Sequence, residues 1–305
     1  MKIFKLFASV SFMAFSFHPL HAETHCPEQI DGVPLRSFQR TAMVVRAEVN
    51  NMGPYDFLLD TGAQITQIDP SLASELHLER QGTAGLVGVG AFSREVSLVE
   101  LNELKAGSHG VQRVLAAVQN LNQLQTADQD IRGVLGENFL RNFDVLIDYR
   151  HSLLCLDQTR RMEQGVKGER IPLIMPLQKE SGTALPETLV IPVHVSGGKE
   201  KNLRLLLDSG SSSPLLYCRH GGKEVRSEKA SIRWAGADGT EQRFAVLAPQ
   251  DLQIGARSIS RVSFVAPIGI GNDVPEIDAD GLLPTALFRS VYISYANRYT
   301  VFDPR

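Results

Sequence analysis

Several residue types that mark particular functions are scarce in this chain of 305 residues. It has three cysteines and one tryptophan, and it contains neither Cys-x-x-Cys nor His-Glu-x-x-His, so we predict no metal site and no cofactor. It also lacks a basic run, and its net charge of −3 argues against a nucleic-acid partner. Hydrophobic residues make up 43% and charged residues 21%, which is typical of a folded globular protein.

Long apolar runs are missing as well, apart from one at the N-terminus. Lys2 and Lys5 precede apolar residues 6–17, and Ala22 is a small residue of the kind that signal cleavage favours. The alternative, a membrane anchor, needs about 20 apolar residues, more than this run offers. We therefore predict a signal peptide over residues 1–22, no membrane span, and a protein that is exported to the periplasm or secreted.

The three cysteines are Cys26, Cys155 and Cys218. In an oxidising compartment they allow at most one internal disulfide. Their spacing does not identify the pair, and three buried free thiols are an equally good alternative.

Two similar acidic triplets end apolar runs, Asp60-Thr61-Gly62 and Asp208-Ser209-Gly210. A buried carboxylate needs a partner or a chemical role, and two in equivalent positions suggest that each is the partner of the other. Their separation of 148 residues recurs elsewhere. It aligns Leu104-Lys105-Ala106-Gly107 with Leu252-Gln253-Ile254-Gly255 and Gly133-Val134-Leu135 with Gly281-Leu282-Leu283; after a slip of two residues, Ile147-Asp148-Tyr149 aligns with Ile293-Ser294-Tyr295.

This constant spacing indicates two copies of one unit. We predict an N-terminal lobe over residues 23–160, a polar linker over 161–170 and a C-terminal lobe over 171–305. Short apolar or alternating runs predict β-strands. They cover residues 42–49, 55–59, 94–101, 111–118, 145–148, 153–156, 189–195, 203–207, 242–248, 259–266, 291–295 and 299–302. Helices are expected to be short, one beginning after Asp69 at Pro70 and one near residues 138–142.

The triplets and their downstream partners resemble the aspartic peptidases, in particular the bacterial retropepsin-like type with two lobes in one chain. The resemblance rests on Asp60-Thr61-Gly62 with Val134-Leu135-Gly136, and on Asp208-Ser209-Gly210 with Leu282-Leu283-Pro284. It implies a mostly β fold of two pseudo-symmetric pepsin-like or retropepsin-like β-barrel lobes with a cleft between them. It also implies an aspartic endopeptidase whose full site forms within a monomer.

In that family Asp60 and Asp208 would be catalytic. Two carboxylates held close together share one proton, so one acts as a base towards water while the other donates its proton to the substrate carbonyl. Thr61 and Ser209 would hydrogen-bond across the lobe junction, and Gly62 and Gly210 would let the backbone approach the carboxylates. The apolar residues Leu135 and Leu283, with Gly136 and Pro284, would pack under the two loops.

Each triplet alone is also an ordinary turn, and the glycine-rich residues 85–90 superficially resemble a phosphate loop. That stretch lacks the Gly-Lys-Ser/Thr ending, so we interpret it as a flap hairpin over a peptide substrate. The candidate flap residues are Gly88, Gly90, Phe92, Trp234 and Gly236. A serine hydrolase would need a Gly-x-Ser-x-Gly elbow and a placed histidine, and neither is evident.

The second copy departs from the family pattern. Pro284 replaces a glycine and removes an N–H, which favours the alternative function, an inactive peptide- or ligand-binding protein on the same scaffold. Ser211 follows Gly210, whereas Ala63 follows Gly62, and only the serine has a hydroxyl that can bond an ionised carboxylate and lower its pKa. Ala63 cannot lower the pKa of a carboxylate in this way, so we expect an active protein to have its pH optimum nearer neutral than pepsin. A purely structural envelope protein has no positive support.

Overall fold

A computed structural model describes residues 26–38, 41–87, 93–125, 130–174, 189–196, 201–217, 231–235, 241–268 and 279–304. The predicted signal peptide and Cys218 lie outside these residues. In the described part the chain is mostly β, with short helical segments only, as the sequence predicts. The helices are α1 (Pro70–Glu75), α2 (Glu137–Leu140) and α3 (Arg161–Gly165), and single 3₁₀ turns cover Pro27–Gln29, Asn122–Leu124 and Thr285–Leu287.

The first lobe holds ten strands within the described residues. They are β1 (Gly32–Phe38), β2 (Ala42–Val49), β3 (Met52–Leu59), β4 (Thr66–Ile68), β5 (Arg80–Val87), β6 (Ser93–Ala106), β7 (His109–Val118), β8 (Ile131–Leu135), β9 (Asp144–Asp148) and β10 (Leu153–Asp157).

The second lobe repeats most of them. Its described strands are β11 (Ile171–Pro172), β12 (Val190–Ser196), β13 (Lys201–Asp208), β14 (Leu215–Leu216), β15 (Ser231–Ala235), β16 (Glu241–Val246), β17 (Gln250–Ile254), β18 (Arg257–Val262), β19 (Val265–Pro267), β20 (Gly281–Pro284), β21 (Ser290–Ser294) and β22 (Tyr299–Phe302).

In the first lobe, β2, β3, β8, β4, β7 and β6 follow one another as hydrogen-bonded neighbours, and β6 pairs again with β2. The strands thus close into a small barrel, whose interior is filled by side chains such as Val45, Leu59 and Leu101. Closure leaves these strands without a free edge.

The second lobe uses the same neighbour order, β12, β13, β20, β14, β19 and β16. Here the two long strands of the first lobe are each divided: β6 corresponds to β16 and β17, and β7 corresponds to β18 and β19. Pro249 lies in the first interruption, where it cannot donate to a strand ladder. The second interruption separates β18 from β19. The sequence predicts one strand over residues 259–266, and this prediction is wrong at residues 263–264, which lie between these two strands.

The lobes are joined by a sheet to which both contribute. Its order is β11-β22-β21-β9-β10-β1, and the two lobes meet where β9 pairs antiparallel with β21. Leu146 lies opposite Tyr292, its equivalent in the repeat, and Asp144 lies opposite Ser294. A pseudo-two-fold axis therefore passes between Leu146 and Tyr292.

Two turns at equivalent positions of the repeat have the same backbone geometry. The β6–β7 hairpin turns at Gly107 and the β17–β18 hairpin at Gly255, with φ of 58° and 57°. Both values lie in the left-handed region that glycine occupies without steric cost. The sequence had aligned these two glycines.

The N-terminal segment is tied to the joining sheet by a disulfide between Cys26 and Cys155. This identifies the pair that spacing left open. The predicted linker is not only a turn-rich connection, since α3 occupies its first half and buries Met162.

The first predicted helix is confirmed. Its N-cap Asp69 accepts hydrogen bonds from the backbone N–H groups of Ser71 and Leu72, which satisfies donors that have no partner within the helix. The second begins one residue before the predicted range, at Glu137.

No helix in the described ranges is long and apolar enough to cross a membrane. Among these residues there is also no cluster of three or more histidine, cysteine, aspartate or glutamate side chains arranged to hold a metal ion.

Candidate active site

Each triplet begins at the end of a buried strand in the middle of its lobe. β3 and β8 run parallel, with Leu59 beside Leu135, and the N–H of Asp60 donates to the carbonyl of Leu135 at 3.1 Å. β13 and β20 repeat this arrangement and place Asp208 beside Pro284. Both aspartates are thus carried by strands whose apolar side chains lie in the core, which fixes the start of each loop.

The two loops bring the carboxyl groups of Asp60 and Asp208 next to each other, where each affects the pKa of the other. The flanking glycines explain how they come so close. A Cβ on Gly62 would lie 2.7 Å from Cγ of Asp208, and one on Gly210 would lie 2.5 Å from Cγ of Asp60. Each glycine therefore makes room for the carboxyl group of the opposite lobe.

Backbone donors hold the two carboxylates in the same way. Oδ1 of Asp60 accepts the N–H groups of Gly62 and Ala63 at 2.8 and 3.1 Å. Oδ1 of Asp208 accepts those of Gly210 and Ser211 at 2.8 and 2.9 Å. Each loop thus fixes one carboxylate oxygen of its own aspartate.

Burial and proximity favour a protonated form of the pair. Burial raises the pKa of Asp60, although the N–H donors of Gly62, Ala63 and Gly210 oppose this. Burial raises the pKa of Asp208 well above its ordinary value of 3.8, and the neighbouring Asp60 carboxylate raises it further. Asp208 is 5% exposed, whereas Asp60 is partly accessible to solvent. Two like charges side by side are unfavourable, so a state in which the pair carries one proton is favoured over the doubly ionised state.

Thr61 and Ser209 cross between the lobes, as the resemblance implies. The hydroxyl of Thr61 donates to the carbonyl of Leu207 at 2.9 Å and accepts the N–H of Ser209 at 3.0 Å. The hydroxyl of Ser209 donates to the carbonyl of Leu59 at 2.8 Å and accepts the N–H of Thr61 at 3.0 Å. Both side chains are buried, so these four bonds lock the loops together away from water.

The support under Asp60 is polar. The N–H of Gly136 donates to the hydroxyl of Thr66 at 3.3 Å, and that hydroxyl donates to Oδ1 of Asn138 at 2.8 Å. Gly136 is also held by close packing, because a Cβ there would lie 2.7 Å from the backbone carbon of Ile65.

The support under Asp208 uses three different residues at the equivalent positions. Pro284 replaces Gly136, Pro214 replaces Thr66 and Ala286 replaces Asn138. The missing N–H of Pro284 therefore coincides with a missing acceptor at Pro214, and both prolines are buried. Removing donor and acceptor together leaves no unsatisfied polar group.

The expected role of the Ser211 hydroxyl is not what the structure shows. It donates to the carbonyl of Ser213 at 2.9 Å, and only the backbone N–H of Ser211 reaches Asp208. The loop satisfies its own carbonyl with this hydroxyl, so the difference between Ala63 and Ser211 does not lower the pKa of Asp208.

The candidate flaps are hairpins in both lobes. β5 and β6 pair Thr83 with Ser97 and Val87 with Ser93, while β15 and β16 pair Ser231 with Ala245 and Ala235 with Glu241. The two registers are the same after the repeat offset. Gly88, Gly90, Phe92 and Gly236 lie outside the described residues; Trp234 belongs to β15, and its side chain is outside the description as well.

Sequence reasoning missed a tyrosine near the dyad. The hydroxyl of Tyr149 lies 2.5 Å from Oγ1 of Thr285, and the charges of Asp208 and Asp60 contribute, after burial, to raising its pKa. Tyr217 is buried close to Asp208, whose charge also raises its pKa. The repeat alignment of Tyr149 with Tyr295 was visible in the sequence, but nothing there indicated that the side chain crosses to the other lobe.

Comparison with known proteins agrees with this geometry. Residues 45–139, which include the first triplet and its partner Gly136, match the family model for aspartyl proteases. The match covers about a third of the chain and lies within the first lobe. No curated protein sequence matches the chain.

The chain is also similar to solved structures at low identity. A retropepsin-like aspartic protease from Rickettsia conorii aligns over 42% of this chain and 90% of its own, with 20% identity and a TM-score of 0.30. The aspartic proteinase from Irpex lacteus aligns over 90% of this chain and 97% of its own, with 11% identity and a TM-score of 0.49. Basic 7S globulin from soybean aligns over 90% and 95%, with 12% identity and a TM-score of 0.45.

Proposed function

We propose that the protein is an aspartic endopeptidase in which Asp60 and Asp208 form the catalytic dyad. The observation that supports this most directly is the close approach of the two carboxyl groups, each held by two backbone N–H groups of its own loop. A carboxyl pair in such contact shares one proton and supplies an acid and a base side by side. One chain provides both halves, so a monomer suffices.

Hydrolysis by this pair proceeds in two steps. The ionised carboxylate removes a proton from water, whose oxygen attacks the carbonyl carbon of the peptide, while the protonated carboxyl donates its proton to the carbonyl oxygen. The resulting diol then loses a hydroxyl proton to the ionised carboxylate, and the other carboxyl group of the pair donates its proton to the leaving nitrogen as the C–N bond breaks. The dyad ends with one shared proton, as it began.

The surrounding residues have supporting roles in this proposal. Thr61 and Ser209 hold the loops together, and Gly62 and Gly210 make room for the carboxyl groups. Leu135 and Leu283 lie in the core beneath them. The hairpins that include the candidate flap residues are proposed to contact a peptide substrate.

The proposal extends to localisation. The N-terminal apolar run and the disulfide between Cys26 and Cys155 both fit export to the periplasm or secretion, because disulfides persist in oxidising compartments. Peptide or protein substrates, without nucleic acid, are the proposed partners.

An inactive binding protein on the same scaffold is the alternative. The argument for it was that Pro284 lacks the N–H that Gly136 donates. Pro214, at the position equivalent to Thr66, also lacks the hydroxyl that accepts this N–H. The loss at Pro284 therefore leaves no acceptor at Pro214 without its donor, which weakens the argument.

The test is hydrolysis of a peptide library by the purified protein across pH, with Asp60→Asn and Asp208→Asn. Each change should lower kcat at least about a thousandfold, since the two groups act as a unit, and folding should be retained. A statine-type mimic of the diol should inhibit the wild-type protein.

Asp56→Asn provides the matched control, because Asp56 lies on β3, the strand that leads to Asp60, and pairs with Arg36 and not with the dyad. It should leave hydrolysis unchanged. Cleavage that persists in both dyad variants would refute the proposal, and binding of peptides without cleavage would favour the alternative.

A further inference from the structure

Two tyrosines lie at equivalent positions directly after the strands that join the lobes. Tyr149 follows β9 and Tyr295 follows β21. Because these strands pair antiparallel across the pseudo-two-fold axis, each tyrosine leaves the sheet beside the opposite lobe.

Tyr149 makes a hydrogen bond across this boundary. Its hydroxyl lies 2.5 Å from Oγ1 of Thr285, which belongs to the second lobe and is fully buried. Thr285 directly follows Pro284, and Pro284 pairs with Asp208. The backbone N–H of Tyr149 also donates to the carbonyl of Arg289 at 2.9 Å. One residue of the first lobe therefore holds the segment that supports the aspartate of the second.

Tyr295 does not repeat this contact. Glu137 occupies the position equivalent to Thr285, and its charge, together with burial, raises the pKa of Tyr295. The hydroxyl of Tyr295 is buried and has no hydrogen-bond partner among the described residues. The direct tyrosine bond between the lobes therefore exists on the Asp208 side only.

We propose that Tyr149 is a positioning residue that fixes Asp208 relative to Asp60 through its hydrogen bond to Thr285. This inference rests on the proposed function. Besides the pairing of β9 with β21, the bonds of Thr61 and Ser209 join the two loops, and Tyr149 adds a contact between the lobes next to the support of Asp208. This contact resists rocking of one lobe against the other, which would change the distance between the carboxyl groups.

The first experiment separates kcat from KM in Tyr149→Phe and Thr285→Val. Each should lower kcat about tenfold, which corresponds to the loss of one buried hydrogen bond, and should leave KM within about twofold. The double variant should lose no more than either single variant, because both remove the same bond. Thr285→Ser keeps the hydroxyl and should keep kcat near that of the wild type.

The pseudo-symmetry supplies a matched control. Tyr295→Phe removes a hydroxyl from the equivalent position without removing a hydrogen bond, and Tyr55→Phe removes a surface bond to Glu75. Both should leave kcat within about twofold of the wild type. A kcat for Tyr149→Phe within that range, or an equal loss in Tyr295→Phe, would overturn the inference.

A second readout does not depend on activity. In protein labelled with ¹³C at aspartate carboxyl groups, the two titration steps of the dyad are followed by NMR in the wild type and each tyrosine variant. Among the described residues, the other ionisable side chains whose pKa is raised by a charge of the dyad are Tyr149 and Tyr217. Tyr149→Phe should move at least one step, because the contact between the carboxyl groups changes, while Tyr295→Phe should move neither.

The two readouts separate failure of the inference from failure of the proposed function. If the wild-type protein hydrolyses no peptide, the proposed function fails, and the titration alone decides the role of Tyr149. A titration that is the same in Tyr149→Phe and wild type refutes the positioning role even where hydrolysis is observed.

Discussion

The two lobes hold their aspartates with the same loop but with different supports. Under Asp60, the N–H of Gly136 bonds the hydroxyl of Thr66, which bonds Asn138. Under Asp208, Pro284 and Pro214 occupy the equivalent positions and supply neither this donor nor this acceptor. The loops themselves stayed alike, with Thr61 and Ser209 making the same pair of side-chain bonds in each direction.

This difference shows where a duplicated unit is free to diverge. A donor and its acceptor that lie within one lobe can be lost together at little cost, because neither is left unsatisfied. The loop residues contact the other lobe, so a change in one copy has no compensating change within that copy. Divergence is therefore expected in the supports rather than in the crossing loops.

The largest expected effect comes from Gly136→Ala compared with Pro284→Ala. A Cβ at Gly136 would lie 2.8 Å from the carbonyl oxygen of Ala63, a backbone atom that cannot turn away. We expect a loss of about 3 kcal/mol in the free energy of unfolding. Pro284→Ala adds an N–H that faces a proline and should cost about 1 kcal/mol. Urea unfolding measures both, and equal losses would contradict the difference between the supports.

The next effect tests where the lobes are alike. Thr61→Val and Ser209→Ala each remove a hydroxyl that donates one bond and accepts another across the junction. Each change leaves a buried carbonyl and a buried N–H without these partners, so we expect a loss of about 2 kcal/mol. The two losses, compared by urea unfolding, should agree within about 0.5 kcal/mol. A clearly smaller loss in one variant would show that the crossing is asymmetric.

A smaller effect is expected at the first-lobe support alone. Thr66→Val keeps the shape of the side chain but removes the acceptor of the Gly136 N–H and the donor to Asn138. It should cost about 1.5 kcal/mol in the same assay. Thr83→Val, at an exposed threonine of β5, is the control and should change stability by less than about 0.5 kcal/mol. If the two variants are equally stable, the polar support contributes nothing.

The last comparison concerns pH. The pKa of Asp208 is raised above 3.8 in the folded protein, so above that pH the unfolded chain releases a proton that the folded chain keeps. The unfolded state then binds fewer protons, and the free energy of unfolding falls as pH rises. Asp208→Asn removes this fall, and its stability relative to wild type should increase from about pH 4 to pH 7. Asp60→Asn should show the same trend, because it removes the neighbouring carboxylate whose charge raises the pKa of Asp208. Parallel pH curves for wild type and Asp208→Asn in urea unfolding would contradict the raised pKa.

Much of the candidate site was predictable because its residues belong to a motif that the sequence contains twice. Asp60, Asp208, Thr61 and Ser209 were found from two triplets at one constant offset, and the strands that carry them from short apolar runs. The disulfide partner of Cys155 and the contact of Tyr149 with Thr285 were not predictable. Both join residues more than a hundred positions apart, and no repeat or periodic pattern in the sequence links the two members of either pair.

The sequence by itself determined that this protein is a β-rich duplication with one aspartate loop in each copy, because local patterns of apolar residues, turns and repeated glycines specify these features residue by residue. Only the tertiary structure decided how the copies meet. Antiparallel pairing of β9 with β21 places equivalent residues opposite each other, brings the carboxyl groups into contact, and sends Tyr149 to Thr285 while its counterpart Tyr295 lies beside Glu137. These outcomes depend on packing between distant segments, where a single changed partner alters the contact without altering the local pattern.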